Sequence, residues 1–247
     1  MIQAQRPLPA YVALDISKQH LIDSCCQIAN YYGPPPADEA ATGLQAGPQT
    51  GLTTIAICAD YTLPLALPPL EALAGKARTA FFPGSTIGNL QPQEAVAFLG
   101  NIAQLVGPGG GLLIGVDLQK DQAVLEAAYD DAAGVSAAFA LNLLQRTNRE
   151  LAADFDLAQF RYRALYNSAV GRIEMYVESL QDQVVTVAGE AIAFQAGERL
   201  LTEHSYKYSP QGFAALVAQA GFTTQASWQD DQGLFLVSYC QVQPALA

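Results

Sequence analysis

The chain has 247 residues, enough for one or two domains with a buried core. It carries 12 Lys and Arg residues against 23 Asp and Glu residues, and this formal charge of −11 disfavours nucleic-acid binding because phosphate backbones attract basic surfaces. Its apolar runs are too short for a membrane helix, which needs roughly 20 residues, and the N-terminus lacks a signal-peptide pattern. We therefore expect a soluble, cytoplasmic protein with no membrane partner. Only two histidines, and four cysteines without CxxC spacing, also argue against a metal site.

The first half of the chain alternates predicted strands and helices. Short apolar runs predict strands at Tyr11–Ile16, Thr53–Cys58, Thr79–Phe82 and Leu112–Val116. Helical spacing and a capping serine or an initial proline predict helices at Ser17–Tyr31 and Pro92–Leu105. The glycines of Gly107–Gly111 precede a strand, so they predict a turn and not a phosphate-binding loop. This alternation is typical of a parallel α/β core.

The second half follows a different pattern. An Ala- and Leu-rich region over 119–146 predicts one long helix, and antiparallel strands are predicted near 171–178 and 183–195. A helix at Pro210–Ala220 and a closing hairpin of Thr223–Trp228 with Leu234–Gln241 complete the chain. We interpret this as a nucleotide-binding core over 1–118 and 208–247, interrupted by a substrate-binding lobe of mixed α and β structure over 119–207.

Polar residues at predicted strand ends are candidates for ligand contacts. Asp15 ends a strand before a helix, where an acid commonly accepts the ribose hydroxyls of a nucleotide, although helix capping is equally compatible with the pattern. Asp60 and Tyr61 end the next strand, with the same alternative. The segment Gly84–Asn89 also follows a strand, where ligands bind in open α/β sheets, while a turn-forming asparagine is the simpler alternative.

Side-chain alternation predicts a further polar pair. On a strand, Glu203 and Ser205 point to the same face, and together a carboxylate and a hydroxyl can address both nitrogens of an imidazole. The alternative is a strand face exposed to solvent. His204 should face the other way, and the role of Lys207 stays open. Tyr129 on an apolar helix is compatible with a core residue whose hydroxyl reaches the surface.

Several unusual segments occur in a fixed order along the chain. They read YVALDIS (11–17), FPGSTIGNL (82–90), AYDDAAGV (128–135), RIEM (172–175) and LTEHSYKY (201–208). Together they resemble the histidine-specific Nα-methyltransferases of ergothioneine biosynthesis, which use S-adenosylmethionine. The resemblance implies an α/β fold with a Rossmann-like class I methyltransferase core, and conversion of histidine to its trimethylated betaine.

The resemblance also implies a role for individual residues. It assigns the cofactor to Asp15, Asp60 and Tyr61, and the substrate to Gly84, Asn89, Tyr129, Ser136, Met175, Glu203 and Ser205. In this assignment Asn89 and Tyr129 hold the amino-acid end, Glu203 and Ser205 hold the imidazole, and Met175 packs against it. Ser136 stands where the family more often has threonine. Methyl transfer to an amine needs alignment and exclusion of water, so no catalytic side chain and no metal is expected.

The resemblance covers most of residues 10–240, apart from 32–52. It implies that the first strand, glycine-rich loop and helix of the cofactor core precede Tyr11, so the core here lacks its first βα unit. Three explanations stay open: a truncated start, a separately encoded N-terminal half, or a degenerate relative that binds an amino acid or a partner chain without turnover. A methyltransferase for another amino acid is the rival enzymatic hypothesis.

Overall fold

The computed structural model describes Leu8 and residues 10–32, 51–69 and 74–243. Its helices are α1 Lys18–Tyr32, α2 Pro92–Val106, α3 Gln122–Tyr129, α4 Val135–Leu151 and α5 Pro210–Gln219. Its strands are β1 Ala10–Asp15, β2 Thr53–Cys58, β3 Thr79–Phe82, β4 Gly111–Asp117, β5 Phe160–Asn167, β6 Arg172–Ser179, β7 Gln183–Val187, β8 Glu190–Phe194, β9 Arg199–Tyr206, β10 Phe222–Gln229 and β11 Phe235–Val242. Within the described ranges, no helix has the length and apolarity needed to cross a bilayer.

The central sheet has the strand order β10-β11-β4-β3. Strands β3 and β4 run parallel, as a Rossmann-like core requires, and β11 is antiparallel to β4. Apolar side chains of β4 and helices α2 and α5 form one buried cluster, in which Leu99, Ile114 and Val217 are fully buried. The strands predicted in the first half and the closing hairpin are confirmed. The fold is a Rossmann-like α/β core that carries an inserted α+β lobe.

The inserted lobe has its own buried cluster. Strands β5, β6 and β9 form an antiparallel sheet, and α3 and α4 contribute to the apolar cluster on one of its faces. Phe160, Tyr162 and Ala164 alternate inward along β5, while Arg161 and Arg163 point to the other face. This strand was absent from the sequence prediction, although its period of two is the pattern of a half-buried strand.

The predicted long helix over 119–146 is wrong, because the chain breaks between α3 and α4. The Asp131 carboxylate accepts hydrogen bonds from the backbone N–H groups of Val135 and Ser136 at 3.0 and 2.8 Å. Gly134 has a φ of 71°, in the left-handed region that glycine tolerates. A second helix therefore begins at Val135, where the sequence predicted that the first would continue. Tyr129 is the last residue of α3, not an early residue of a long helix.

The predicted single strand at 183–195 is also wrong. It is a hairpin of β7 and β8 that turns at Ala188 and Gly189, whose φ angles are 51° and 87°. Two successive positive φ angles are the signature of the tight turn whose twist matches antiparallel strands. The segment 33–50, whose Gly-, Pro-, Ala- and Gln-rich composition predicts a surface loop, lies outside the described residues.

Among the described residues the core strands form two sheets with four edge strands, β1 and β2 in one sheet and β10 and β3 in the other. Among the described residues, β1 is hydrogen-bonded only to β2, in parallel, and β3 only to β4. β1 has no described strand on the side away from β2, and β3 has none on the side away from β4. The backbone N–H and C=O groups along these two edges therefore have no strand partner. Apolar side chains are exposed nearby, since Tyr11 of β1 and Phe81 of β3 are 38% and 68% exposed.

The core and the lobe approach each other closely at Gly88. A Cβ atom built on Gly88 would lie 2.8 Å from the backbone oxygen of Tyr206 and 3.1 Å from Ser205 Oγ. We expect Gly88→Ala to reduce the free energy of unfolding by about 1–3 kcal/mol, because backbone cannot yield cheaply to the added methyl group. Denaturant unfolding measures the change.

The matched control is Gly100→Ala in α2, where a built Cβ atom meets nothing within 4 Å. It should raise the free energy of unfolding by roughly 0.5–1 kcal/mol, since alanine is the better helix former. Equal effects of the two substitutions would contradict the close approach at Gly88.

Candidate active site

The loop after β3 is held against the carboxyl end of β4. Ser85 adopts a left-handed φ of 61°, which turns its side chain so that Oγ accepts a hydrogen bond from the Asp117 backbone N–H at 2.8 Å. Its own backbone N–H donates to the Gly115 oxygen at 3.2 Å. The following 3₁₀ turn, Thr86–Asn89, is thereby placed at the edge of the sheet where parallel strands present ligand sites.

A hydrogen bond from this turn reaches the lobe. The Asn89 amide nitrogen Nδ2 donates to Glu203 Oε1 at 2.8 Å. The contact is possible because Gly88 has no side chain, so β9 passes directly over the turn. Two residues that the sequence assigned to opposite ends of one substrate thus lie within hydrogen-bond distance of each other. Glu203 is therefore a half-buried residue with a hydrogen-bond partner, and the alternative of a strand face exposed to solvent does not describe it.

The predicted alternation on β9 is confirmed. Met175 on β6 lies opposite Glu203, and Ile173 lies opposite Ser205, on the lobe face that carries the apolar cluster. Met175 is 9% and Ser205 3% exposed. His204 lies on the other face, where its ring packs edge-on against Tyr206 with 5.4 Å between centroids. Burial and the nearby Arg172 guanidinium lower the pKa of His204.

A buried lysine joins this face to Tyr129. Lys207 Nζ donates to the Tyr129 hydroxyl at 2.7 Å and to Ser205 Oγ at 2.9 Å, and it lies 2.8 Å from Asp117 Oδ2. The Tyr129 hydroxyl is also 3.0 Å from Ser205 Oγ. The Asp117 carboxylate forms a second ion pair with Lys120. A single ammonium group therefore touches the core and two elements of the lobe.

Tyr162 makes a hydrogen bond to the last residue of α3. Its hydroxyl donates to the backbone oxygen of Tyr129 at 2.9 Å. Burial, with the carboxylates of Asp130 and Glu203, raises the pKa of Tyr162 to about 12, so the phenol stays protonated and remains a donor near neutral pH.

Ser136 lies apart from this hydrogen-bonded group. Its backbone and side chain both pair with Asp131, which caps the start of α4. Those hydrogen bonds lower the pKa of Asp131 to about 2. The contacts of Ser136 are thus those of a residue in the first turn of a helix. Its contact with the substrate stays a prediction.

The three predicted cofactor residues lie at the ends of β1 and β2. Asp15 Oδ1 accepts from the Ser17 backbone N–H at 2.7 Å, and Asp60 Oδ1 accepts from the backbone and hydroxyl of Thr62 at 2.9 and 2.6 Å. The Thr62 hydrogen bonds lower the pKa of Asp60. These are the local turn contacts of the simpler alternative, yet each uses one carboxylate oxygen and leaves the second for a ligand. Tyr61 packs edge-on against the rings of Phe82 and Phe98.

Sequence reasoning missed Asp117 and left Lys207 undecided. Asp117 ends the buried strand β4, so it shares with Asp15 and Asp60 the position of an acid at a strand end. That shared position was the available signal for Asp117. For Lys207 the signal was alternation, because residues 203, 205 and 207 fall on one side of an extended segment.

The sequence of the chain matches a known family over residues 1–242, and the family is described as histidine-specific, S-adenosylmethionine-dependent methyltransferases. The chain belongs to this family. The resemblance drawn from the short segments is therefore confirmed. Membership brings an expected cofactor, S-adenosylmethionine, and the second carboxylate oxygens of Asp15 and Asp60 are acceptors of the kind that suits ribose hydroxyls and an adenine amino group.

Named relatives agree with the family. The chain is 44% identical over 190 residues to the histidine N-alpha-methyltransferase of Mycolicibacterium smegmatis, covering 76% of this chain and 58% of that protein. It is 42% identical over 191 residues to the protein of the same name from Mycobacterium tuberculosis, again covering 76% and 58%. Ergothioneine biosynthesis protein 1 of Neurospora crassa is 30% identical over 161 residues, covering 63% of this chain and 18% of that protein. The chain thus spans less than two thirds of the length of these relatives.

The Asp131 cap should make the stability of the lobe depend on acid pH. A carboxylate whose pKa falls from 3.8 to about 2 on folding stabilises the folded state above the unfolded pKa, and this stabilisation is lost as pH falls through the folded pKa. We expect Asp131→Ala to unfold at a lower temperature than the wild-type chain at neutral pH, with the difference closing as pH approaches about 2.

Thermal unfolding followed by circular dichroism across this pH range measures the effect. Asp130→Ala is the matched control, because the neighbouring carboxylate is exposed and does not cap α4. A difference between Asp131→Ala and wild type that stays constant with pH would contradict the assignment.

Proposed function

We propose that this chain acts in the S-adenosylmethionine-dependent methylation of the α-amino group of L-histidine to the trimethylated betaine, as in ergothioneine biosynthesis. The observation that carries the proposal is the convergence of Asn89, Tyr129, Glu203 and Ser205 from three separate elements, the turn Thr86–Asn89, α3 and β9, through hydrogen bonds from Asn89 to Glu203 and from Tyr129 to Ser205. Such a set of donors and acceptors suits a small, polar, asymmetric ligand. A cytoplasmic location remains part of this proposal.

The imidazole end of the substrate suits the β9 face. The Glu203 carboxylate accepts a hydrogen bond from a ring N–H, and the Ser205 hydroxyl addresses the other ring nitrogen. Met175, directly opposite Glu203 on β6, supplies an adaptable apolar surface for the flat ring. A side chain without a ring N–H would leave the Glu203 carboxylate poorly paired, which is a strong basis for discrimination.

The amino-acid end of the substrate suits Asn89 and Tyr129, which lie directly beside Glu203 and Ser205. The Asn89 side chain offers an amide oxygen and an amide nitrogen. The Tyr129 hydroxyl, which donates to Ser205 Oγ in this structure, would turn its hydrogen to the substrate carboxylate. Gly84, with a φ of 78° and nothing within 4 Å of a built Cβ atom, leaves room for close approach of a ligand to the backbone. Ser136 is retained in the proposed substrate set on the strength of the family resemblance.

Catalysis by this chain would consist of positioning. When bound, S-adenosylmethionine supplies an electrophilic methyl group, with Asp15 accepting from its ribose hydroxyls and Asp60 and Tyr61 contacting its adenine. The α-amino group must be neutral to react, and the substrate-binding residues would hold it in line with the methyl group, a geometry that works best when water is excluded. No protein nucleophile takes part, since the amine itself forms the new bond.

The division of labour between core and lobe is also a proposal. We place the methyltransferase core at 1–118 and 208–247 and the substrate-binding lobe at 119–207. Two separate buried clusters support this boundary, one formed by residues between Ile87 and Leu118 together with α5, β10 and β11, the other by residues between Leu125 and Phe194.

The direct test is mass spectrometry of the chain incubated with S-adenosylmethionine and an equimolar mixture of amino acids. Selective formation of Nα-methylated histidine supports the proposal, and methylation of a different amino acid would contradict it. Histidine binding without turnover would identify a binding protein that has lost, or lacks part of, the catalytic machinery.

Glu203→Ala tests the specificity site. We expect methylation of histidine to fall by roughly 100-fold or more, because a hydrogen bond from the imidazole to a charged acceptor is lost. Competing amino acids in the same mixture should be affected far less. Glu190→Ala, at an exposed carboxylate of β8, is the matched control and should leave the product pattern unchanged. Equal loss with both variants would point to a general effect of charge.

We further propose that a strand–loop–helix unit completes the core by inserting its strand between β1 and β3. The open edges of these two strands and the exposed Tyr11 and Phe81 support this, because an added strand would pair both edges and cover apolar surface. A glycine-rich loop on that unit would complete the cofactor site. The unit belongs either to a longer form of this chain or to a separately encoded partner.

Co-expression with the part of the Mycolicibacterium smegmatis relative outside the matched region tests the added strand. We expect co-purification, and slower hydrogen exchange for amides of β1 and β3, because new backbone hydrogen bonds would protect them. Amides of β10 and β11, which already pair with each other, serve as the internal control. Co-purification with unchanged exchange at β1 and β3 would place the unit elsewhere.

A further inference from the structure

Lys207 is the most completely buried charge in the described residues near the site. Its side chain has 0% exposure, and its ammonium group meets three acceptors: Asp117 Oδ2 at 2.8 Å, the Tyr129 hydroxyl at 2.7 Å and Ser205 Oγ at 2.9 Å. An ammonium group has three N–H donors and no acceptor; two of them make hydrogen bonds to the hydroxyl groups, and the Asp117 carboxylate balances the charge. Polar and charged partners of this kind are what a buried cation requires.

The contacts of Lys207 determine what the two hydroxyl groups can offer. Each hydroxyl oxygen accepts one hydrogen bond from the ammonium group, and each therefore keeps its own hydrogen for another acceptor. The Tyr129 hydroxyl donates its hydrogen to Ser205 Oγ at 3.0 Å, so the Ser205 hydrogen is the one left for a ligand. Towards a ligand, this pair is biased to donate, whereas the neighbouring Glu203 carboxylate can only accept when ionised.

We propose that Lys207 is a positioning residue that makes Ser205 a hydrogen-bond donor and so selects one neutral tautomer of the bound imidazole. The ring nitrogen facing Ser205 is then unprotonated, and the ring nitrogen facing Glu203 carries the hydrogen. This inference rests on the proposed function, since it assumes that histidine is the ligand. It goes beyond it by assigning Lys207 a role and by specifying which form of the substrate the site accepts.

The direction of the Ser205 hydrogen bond also selects the charge state of the ring. A hydrogen donated by Ser205 needs an unprotonated ring nitrogen, so a doubly protonated imidazolium, which has none, fits less well than the neutral ring. Lys207 does not need to touch the substrate for this effect, because it acts through the hydroxyl groups that it orients. The tautomer is thus determined by one acceptor, Glu203, and one enforced donor, Ser205.

Lys120 offers a matched control within the same cluster. Both lysines form an ion pair with the Asp117 carboxylate, but only Lys207 contacts Tyr129 and Ser205. Lys120→Met therefore removes a cation from Asp117 while leaving the hydroxyl contacts in place. Lys207→Met removes both a cation from Asp117 and the hydrogen bonds to the two hydroxyl groups, while Asp117 keeps its ion pair with Lys120.

The experiment combines calorimetric titration of L-histidine with ¹⁵N NMR of ring-labelled histidine bound to each variant. Wild type should show one protonated and one unprotonated ring nitrogen. We expect Lys207→Met to weaken histidine binding by roughly 10-fold to 100-fold and to lose the single-tautomer spectrum, because hydrogen bonds from a charged donor are lost. Lys120→Met should bind within about twofold of wild type and keep the spectrum.

Further variants and outcomes keep the test decisive. If Lys207→Met does not fold, Lys207→Gln retains two N–H donors without the charge and should give intermediate affinity. Wild-type affinity and an unchanged spectrum in either folded Lys207 variant would overturn the inference, as would an equal loss in Lys120→Met. A wild-type chain that binds no histidine would overturn the proposed function itself, which is a distinguishable result because it appears before any substitution.

Discussion

The site depends on one buried ammonium group that is shared between the core and the lobe. Burying a cation is costly unless every N–H group finds an acceptor, so the acceptors around Lys207 must keep fixed positions about its nitrogen. Asp117 belongs to the core sheet, while Tyr129 and Ser205 belong to α3 and β9 of the lobe. Satisfying one charge therefore fixes three elements relative to one another. The hydrogen bond between Asn89 and Glu203 crosses the same boundary and reinforces it.

The direction of the core strands places acidic side chains at their carboxyl ends. Asp15 and Asp117 end parallel strands, and Asp60 follows another, so their carboxylates all lie at carboxyl ends, which is where open α/β sheets bind ligands. The turn after β3 adds Asn89, and the missing side chain of Gly88 lets β9 come close. A site of this kind suits a reaction that needs alignment more than it needs a reactive protein group.

The sequence predicted the regular parts of this arrangement and missed its interruptions. Apolar runs and strand alternation correctly predicted the core strands and the common face of Glu203 and Ser205, since both depend on local periodicity. The region 119–146 has helical composition throughout, and only the Asp131 cap with the left-handed Gly134 divides it into two helices. The strand Phe160–Asn167 was overlooked because arginines alternate with its buried residues, and those arginines pair with Glu178 on the second face of the sheet.

By itself, the sequence determined the family, through short segments whose residues and order are unusual, and it determined which side chains share a face of each element. Tertiary structure alone decided which of those faces meet. Asn89 and Glu203 are separated by 114 residues, and Tyr129 and Ser205 by 76, so no local period relates them. The role of Lys207 emerges only once Asp117 and Tyr129 are brought to its side chain, because the hydrogen bonds of a buried charge depend on packing between distant elements.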